Sequence, residues 1–303
     1  MTNVIQDGVT FKFSCVCFTE FLEIFEIIEE NLGQMNIADI VIWTSGTLCL
    51  AWWLLNTSLG KRALDETPQR RNNMPAYLPF VPLLVLICVI SIATAISEKL
   101  YPDLGDWQEA FVSNIIMCLG AISCSITVLL LARKSFARGL KGFGIDFRTL
   151  FKDFGGAFVN LLSVWPVFVA MLLVTIFLGK LFYGSDFHIT QHEELELIST
   201  HTQTPVRILI FITAVVIVPI AEELFFRGII QTTLRSFLKR PWVSIMITSS
   251  VFAVVHANPE HWASLFVISV CMGYAYEKSG SLLRSIFVHS LFNAISILAA
   301  LLQ

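Results

Sequence analysis

Long apolar segments alternate with short polar segments along most of the chain. A helix needs about 20 apolar residues to cross the hydrocarbon core of a bilayer, and eight segments approach or reach that length. They are Ile37 to Asn56, Tyr77 to Ser97, Ala110 to Ala132, Ala157 to Leu178, Pro205 to Glu223, Trp242 to His256, Ala263 to Glu277 and Leu282 to Leu302. The pattern therefore predicts an all-α, polytopic transmembrane bundle of about eight spanning helices.

The composition supports a membrane protein. Of the 303 residues, 55% are hydrophobic and only 14% are charged, and the mean hydropathy is +0.73. A soluble domain carries about 25% charged residues. The net charge of −3 comes with no basic tail or arginine-rich face, so we expect no nucleic-acid partner. We expect a multi-pass integral protein of the cell membrane, meaning the plasma or inner membrane, with the lipid bilayer as its surroundings.

Basic residues predict the orientation of these helices. Sixteen of the 20 Lys and Arg fall in alternate connections, starting with the one between the first and second segments. The exceptions are Lys12, Lys99, Lys180 and Arg207. Cytoplasmic connections are rich in Lys and Arg, so both termini are predicted to lie outside.

Three regions follow from this pattern. Residues 1–36 form an N-terminal segment, in which Phe18 to Leu32 carries its glutamates on one side and predicts an acidic amphipathic helix at the membrane surface. The alternative is a poorly ordered leader. Residues 37–204 hold the first four helices and their loops, and residues 205–303 hold the last four helices.

The loop from Tyr183 to Thr204 is rich in histidine and glutamate. It contains His188, His192, Glu193, Glu194, Glu196 and His201. Such a cluster allows a metal-site interpretation. However, the predicted topology places the loop outside, so a solvated amphipathic turn is the favoured interpretation.

Ionisable residues inside a spanning helix are costly, so each one suggests a function. The fifth apolar segment runs into Glu222 and Glu223, followed by Arg227. Glu223 and Arg227 are four residues apart, so they share a helix face and can pair. Glu222 is left without a neighbouring cation, and such a carboxylate suits a general base that activates water. The alternative is a helix end that reaches the aqueous boundary.

Two further polar positions interrupt the last helices. His256 follows Phe252 by four residues, at the end of an apolar segment where a lone histidine is commonly a boundary residue. His289 and Asn293 are also four residues apart, so they share one face of the last helix. This pair could bind a metal, hold a water molecule or donate hydrogen bonds to an oxyanion. It could also join two helices by a hydrogen bond.

In chain order these positions read EExxxR, FxxxH and HxxxN, on three separate helices. The combination resembles the CAAX protease and bacteriocin-processing family, also called the Abi or CPBP family, which includes the type II CAAX prenyl endopeptidases. The resemblance runs from Ile208 to Asn293. It includes the fuller EExxFRG form at Glu222 to Gly228 and a Gly-Ser-Leu turn at Gly280 to Leu282.

The resemblance implies a role for each matched residue. Glu222 would activate the hydrolytic water, and His256 would position that water or donate a proton. His289 and Asn293 would stabilise an oxyanion or complete a metal site, while Glu223 and Arg227 would hold the first motif in shape. Two mechanisms fit the set. Glu222, His256 and His289 could bind one divalent metal such as zinc, or Glu222 could act as a base without a metal.

The resemblance implies an intramembrane endopeptidase that cleaves near the C-terminus of a membrane-held or prenylated, CAAX-type protein or peptide. A non-catalytic membrane scaffold or a bacteriocin self-immunity factor of the same family is the alternative. A small transporter is disfavoured, because the sequence lacks the inverted repeats expected of that class. The sequence leaves the native substrate and the oligomeric state open.

The expected depths of Glu222 and His256 in the membrane conflict with their lying in one active site. Counting along the predicted helices places Glu222 toward the inner end of the fifth and His256 at the outer end of the sixth. At about 1.5 Å of rise per residue, these side chains would lie at different depths in the membrane. Either a steep tilt of the sixth helix or a longer fifth helix would bring them together.

Overall fold

A computed structural model describes residues 37–190, 193–256 and 258–301. The predicted acidic helix in residues 1–36 therefore lies outside the described residues, and so does His192. The side chains of residues 193 and 194 are also outside the description. Among the described residues the backbone is mainly helical, and its extended pairing is limited to one isolated bridge between Asn72 and Phe136.

Eight long helices make up the described part of the chain, and each corresponds to one predicted segment. They are α1 (Ile37–Asn56), α2 (Phe80–Leu100), α3 (Asp106–Ser135), α4 (Leu150–Tyr183), α5 (Thr204–Leu238), α6 (Pro241–Val255), α7 (Trp262–Ser279) and α8 (Leu282–Leu301). Short helical turns at Gly139–Phe143, Phe147–Thr149, Glu193–Thr200 and Pro259–His261 lie in the connections. The predicted all-α polytopic bundle is confirmed.

Five of these helices are both long and apolar enough to cross a membrane. They are α2, α3, α4 with its preceding turn, α5 and α8. Helices α1 and α6 are apolar but shorter. The many large apolar side chains exposed on α1 and α2 fit a surface that faces lipid.

Helix α4 is the central packing element, because α1, α7 and α8 all pack against it. Pro166 lies inside α4 and has no backbone N–H, so the carbonyl of Leu162 loses its usual helical partner. Gly46 of α1 approaches this carbonyl so closely that a Cβ there would lie 2.5 Å from the oxygen. A glycine is therefore required for α1 to pack at this point.

Helix α5 contains two π-helical turns, at Thr213–Ile217 and Leu224–Gln231, on either side of Glu222 and Glu223. Such turns often mark functional sites in helices. Pro219 lies between them and removes one helical hydrogen bond. The backbone around the two glutamates is therefore irregular, although the helix continues through it.

The length of α5 resolves the expected difference in depth. The sequence predicted that this helix ends near Glu223, but it continues to Leu238. Glu222 therefore lies in the middle of a 35-residue helix. Arg227, which a helix ending near Glu223 would place in the following connection, is fully buried inside the bundle. Glu222 and Glu223 therefore do not lie at a helix end that reaches the aqueous boundary, and that interpretation is wrong.

Candidate active site

The side chains of Glu222, His256 and His289 meet although they come from α5, the end of α6 and α8. Glu222 Oε1 lies 4.0 Å from His256 Nε2, and Glu222 Oε2 lies 3.7 Å from His289 Nε2. No Lys or Arg forms an ion pair with Glu222 in the described part of the chain. Two imidazoles face this carboxylate.

Glu223 points away from this cluster into a closed network of donors. Its side chain is fully buried and accepts a hydrogen bond of 2.6 Å from Arg227 Nη1. The hydroxyl of Ser285 donates to its other oxygen, and His289 Nδ1 lies 3.1 Å from Oε1. A buried carboxylate needs such partners. The predicted pairing of Glu223 with Arg227 is confirmed.

His289 is oriented by this network. A carboxylate oxygen can only accept a hydrogen bond, so the Nδ1 proton of His289 is directed at Glu223. Its Nε2 atom is then the one that faces Glu222. A carboxylate that fixes the tautomer of a catalytic or metal-binding histidine in this way is a common arrangement.

His256 is oriented by the end of its own helix. Its Nδ1 lies 2.7 Å from the carbonyl oxygen of Phe252, which lies in the last turn of α6. A carbonyl can only accept, so Nδ1 carries the proton and Nε2 faces Glu222. His256 does terminate the helix, as a boundary residue would, but it faces the interior cluster.

Asn293 joins α8 to α5. Its Nδ2 donates a 2.8 Å hydrogen bond to the carbonyl oxygen of Ala214, which lies in the first π-helical turn. In a π-helix that carbonyl would accept from the N–H five residues later, but this position is Pro219. Asn293 therefore satisfies a carbonyl that the proline leaves without a partner, as the helix-joining interpretation predicted.

The ring of Phe252 holds the polar residues apart. It is fully buried, and the guanidinium of Arg227 lies 4.7 Å from its centroid. The ring centroids of His256 and His289 lie 4.4 and 5.8 Å from that of Phe252. This phenylalanine therefore separates the structural pair of Glu223 and Arg227 from His256.

A cavity of about 270 Å³ opens beside the cluster. Glu222, His256, His289 and Asn293 all line it, so all four predicted catalytic residues face one space. Its other walls are mainly apolar and come from α4 to α8 and from the short helix Glu193–Thr200. A polar group set within apolar walls is typical of a small binding site.

Residues from two connections cover part of this cavity. Thr190, from the loop after α4, lines the cavity and donates from its backbone N–H and its hydroxyl to Glu260. These two hydrogen bonds stabilise the charged carboxylate, so the pKa of Glu260 is lowered. The contact therefore joins the loop between α4 and α5 to the loop between α6 and α7.

Sequence reasoning missed two serines of the site. Ser285 donates to Glu223, and Ser269 of α7 accepts a 2.7 Å hydrogen bond from Arg227. Ser285, His289 and Asn293 follow each other at intervals of four, so one face of α8 carries all three. That spacing could have identified Ser285, whereas Ser269 has no such signal.

The donor types at Glu222, His256 and His289 suit zinc, with both histidines offering Nε2. Two ligands of one tetrahedral zinc lie about 3.3 Å apart, given metal–ligand distances of 2.0–2.1 Å. The observed separations of 3.7 and 4.0 Å are somewhat longer. Within residues 37–190, 193–256 and 258–301, no group of three or more His, Cys, Asp or Glu is arranged to hold a metal ion.

The fold and the site define a polytopic helical membrane protein whose C-terminal half encloses a carboxylate and two imidazoles in a cavity. Residues 204–295 match the family model described as Type II CAAX prenyl endopeptidase Rce1-like. The match covers the helices that carry Glu222, His256, His289 and Asn293. It confirms the resemblance that the three motifs indicated, and with it the similarity of this region to CAAX-type intramembrane proteases.

Two curated relatives are similar over part of their length. An "Uncharacterized 24.3 kDa protein" of Escherichia coli is 25% identical over 121 residues, which cover 39% of this chain and 56% of that protein. A "UPF0177 protein in abiGi 5'region" of Lactococcus lactis subsp. cremoris is 28% identical over 148 residues, which cover 46% of this chain and 62% of that protein. The chain thus spans about three fifths of the length of these relatives. No solved structure matches it significantly.

Proposed function

We propose that this protein is an intramembrane endopeptidase in which Glu222 activates water. The observation that supports this most strongly is the placement of Glu222. Its carboxylate has no Lys or Arg partner among the described residues, it faces two oriented imidazoles, and it lines a cavity between apolar helices. Structural carboxylates in a membrane protein are normally neutralised by cations, as Glu223 is.

In this mechanism Glu222 takes a proton from a water molecule in the cavity, and the resulting hydroxide attacks the carbonyl carbon of the scissile peptide bond. The carbonyl oxygen becomes an oxyanion, and the N–H of Asn293 that is not bonded to Ala214 stabilises it. His289 can add a second donor only in the form that carries a proton on both ring nitrogens, since Nδ1 already donates to Glu223. The C–N bond then breaks, and the proton that Glu222 took from water passes to the leaving amine, either directly or by way of Nε2 of His256. The products are a carboxylate and a shorter peptide amine.

A divalent metal is the second candidate for the same site. Glu222, His256 and His289 would hold it, and a bound zinc ion would supply a Lewis acid for the carbonyl and a more acidic water. The fixed Nδ1 protons leave Nε2 of both histidines available in either mechanism. The two mechanisms differ in their response to chelators.

The proposed substrate is a membrane-held or prenylated, CAAX-type protein or peptide that is cut near its C-terminus. The family description of the matched segment supports this class of substrate. A cavity bordered by spanning helices also suits a peptide bond delivered from the membrane. The alternative is a non-catalytic scaffold or self-immunity protein, which would have no need for an oriented Glu222 and two oriented histidines.

The test is cleavage of a prenylated, fluorescence-quenched CAAX-type peptide by the purified protein in detergent. Wild type should cleave the peptide, and Glu222→Ala should not, while both insert and melt alike. A zinc chelator separates the two mechanisms, since only the metal-dependent one loses activity. Full activity of Glu222→Ala would remove Glu222 from catalysis, and no cleavage by the wild type of this or any other membrane-held peptide would favour the scaffold.

A further inference from the structure

A second and larger cavity lies against a different face of α7 from the candidate active site. This groove has a volume of about 790 Å³, and α1, α4, α6 and α7 form its walls. On α7 the active-site cavity uses Leu265, Ile268 and Met272, whereas the groove uses Phe266 and Tyr274. Positions two residues apart on a helix point about 200° apart. The two spaces therefore lie on different faces of α7.

The groove is apolar along most of its length but has a cationic end. Lys278 and Arg284 line that end, and no carboxylate is found among the described residues that line the groove. Arg284 is held by Asp153, whose oxygen lies 3.3 Å away, and this pair is neutral. Lys278 donates to the carbonyl of Ala63 and is otherwise exposed, so it gives this end a net positive charge.

Aromatic side chains place this cationic end at the membrane surface. Trp53 Nε1 donates a 2.8 Å hydrogen bond to the hydroxyl of Tyr274, and the Trp242 ring stacks on Tyr274 at 5.9 Å. Trp242 also donates to the carbonyl of Gly60. Tryptophan and tyrosine with polar partners of this kind mark the level of lipid headgroups. Lys278 lies one helical turn beyond Tyr274, toward the predicted inner side.

We propose that this groove binds an anionic glycerophospholipid of the inner leaflet. Its acyl chains lie along the apolar walls, and its phosphate lies against Lys278 and Arg284. An apolar groove within a bilayer is filled by lipid chains in any case, so the cationic end decides which lipid is preferred. Basic sites between spanning helices on the cytoplasmic side are suited to anionic headgroups. The volume also falls in the range of about 300–1,000 Å³ typical of small-molecule sites.

The test measures which lipid stays bound to the full-length protein. The protein is purified in mixed micelles with equal amounts of phosphatidylglycerol and phosphatidylcholine, and retained lipid is counted by native mass spectrometry. Wild type should retain phosphatidylglycerol over phosphatidylcholine by about fivefold, the preference expected from one basic residue at the surface. Lys278→Gln should lower this ratio to near one. Equal retention of both lipids by the wild type would overturn the proposal.

Two further variants make the result specific to the groove. Lys134→Gln is the matched control, because Lys134 is an exposed lysine on the same predicted side at the end of α3, which contributes nothing to the groove. It should keep the wild-type preference, and an equal loss there would contradict the proposal. Val159→Trp fills the groove from an exposed position on α4 and should release both lipids.

A competition measurement identifies the occupant. A farnesylated cysteine peptide added to the wild type should leave the bound phosphatidylglycerol in place. If the peptide displaces the lipid from wild type, the groove belongs to the lipid group of the substrate and the proposal is wrong. Retention of phosphatidylglycerol by Val159→Trp would also be contrary, because the lipid would then bind elsewhere.

Discussion

Two polar clusters in the C-terminal half each contain a glutamate, and the two glutamates differ in the side chains that surround them. Glu277, near the end of α7, accepts from Arg70 at 3.0 Å and from Arg235 at 2.9 Å. Glu222 has two imidazoles at 3.7 and 4.0 Å instead, and it lines a cavity. Both carboxylates come from helices of the bundle, but only one has its charge fully matched by arginine.

This difference distinguishes a carboxylate that stabilises the fold from one that is available for catalysis. A carboxylate between two arginines stabilises the fold by joining distant segments, here residue 70 and residue 235 to residue 277. Each of its oxygens is bound by an arginine, and it does not line the active-site cavity. A carboxylate beside two oriented imidazoles and an open space can exchange a proton with water. An ionisable residue inside a bundle therefore indicates catalysis only when its environment leaves room for a reactant.

The largest expected effect concerns the arginine-matched cluster. Glu277→Gln leaves Arg70 and Arg235 without their carboxylate, and breaking a buried ion pair costs about 3–5 kcal/mol. The melting temperature in detergent should fall markedly, while kcat of the folded fraction stays near the wild-type value. A loss of kcat with an unchanged melting temperature would show that the two clusters do not differ as described.

A somewhat smaller effect is expected at His256. His256→Gln retains a hydrogen-bonding side chain but removes the imidazole that faces Glu222. Proton transfer by a positioned side chain contributes about 10²–10⁴-fold, and we expect kcat to fall by about 10²-fold because Glu222 remains. A drop in stability without a change in kcat would place His256 with the structural residues.

Asn293 should show a mixed effect. Asn293→Asp replaces the amide that donates to Ala214 by a carboxylate that repels this carbonyl. We expect a stability loss of about 1 kcal/mol, typical of one hydrogen bond, and a fall in kcat of about tenfold as the cavity changes. Thermal unfolding and saturation kinetics separate the two contributions. Asn293→Gln, which keeps the amide, is the control for charge.

The smallest effect is expected at the contact between Thr190 and Glu260, beside the active-site cavity. Thr190→Val removes the hydroxyl that donates to Glu260, so the loop before α5 is held less firmly. KM should rise by about two- to threefold with little change in kcat, an order of magnitude typical of one exposed hydrogen bond.

The same contact has a defined pH dependence. Thr190 lowers the pKa of Glu260, so the contact stabilises the loop at neutral pH and is lost as the pH falls through that lowered pKa. The difference in KM between wild type and Thr190→Val should therefore vanish in acid. A KM difference that persists there would mean that the threonine acts in another way.

The helices were predictable from the sequence because each is set by a local apolar pattern. The motifs around Glu222, His256 and His289 were also predictable, since each spans only a few residues. The extent of α5 was not, because its polar second half carries Arg227 and Arg235, which resemble a connection when read alone. Their burial depends on partners such as Ser269 and Glu277, about 42 residues away.

The irregular backbone at the site also could not be predicted from the local sequence pattern. Pro219 predicts a lost hydrogen bond within the helix. However, the hydrogen bond from Asn293 to the carbonyl of Ala214 requires α8 to pack against α5 at that level. The pairing of Arg70 with Glu277 joins positions 207 residues apart. Contacts of this kind are set by the packing of whole helices, and no spacing rule within one segment shows them.

Glu222, rather than buried charge in general, is the group proposed to activate water. The decisive measurement is the rate of peptide cleavage at saturating substrate for Glu222→Gln, per folded molecule and relative to wild type. We expect this rate to fall by about 10²–10⁴-fold with an unchanged melting temperature, because the amide cannot take a proton from water. Cleavage by Glu222→Gln at the wild-type rate would contradict this proposal.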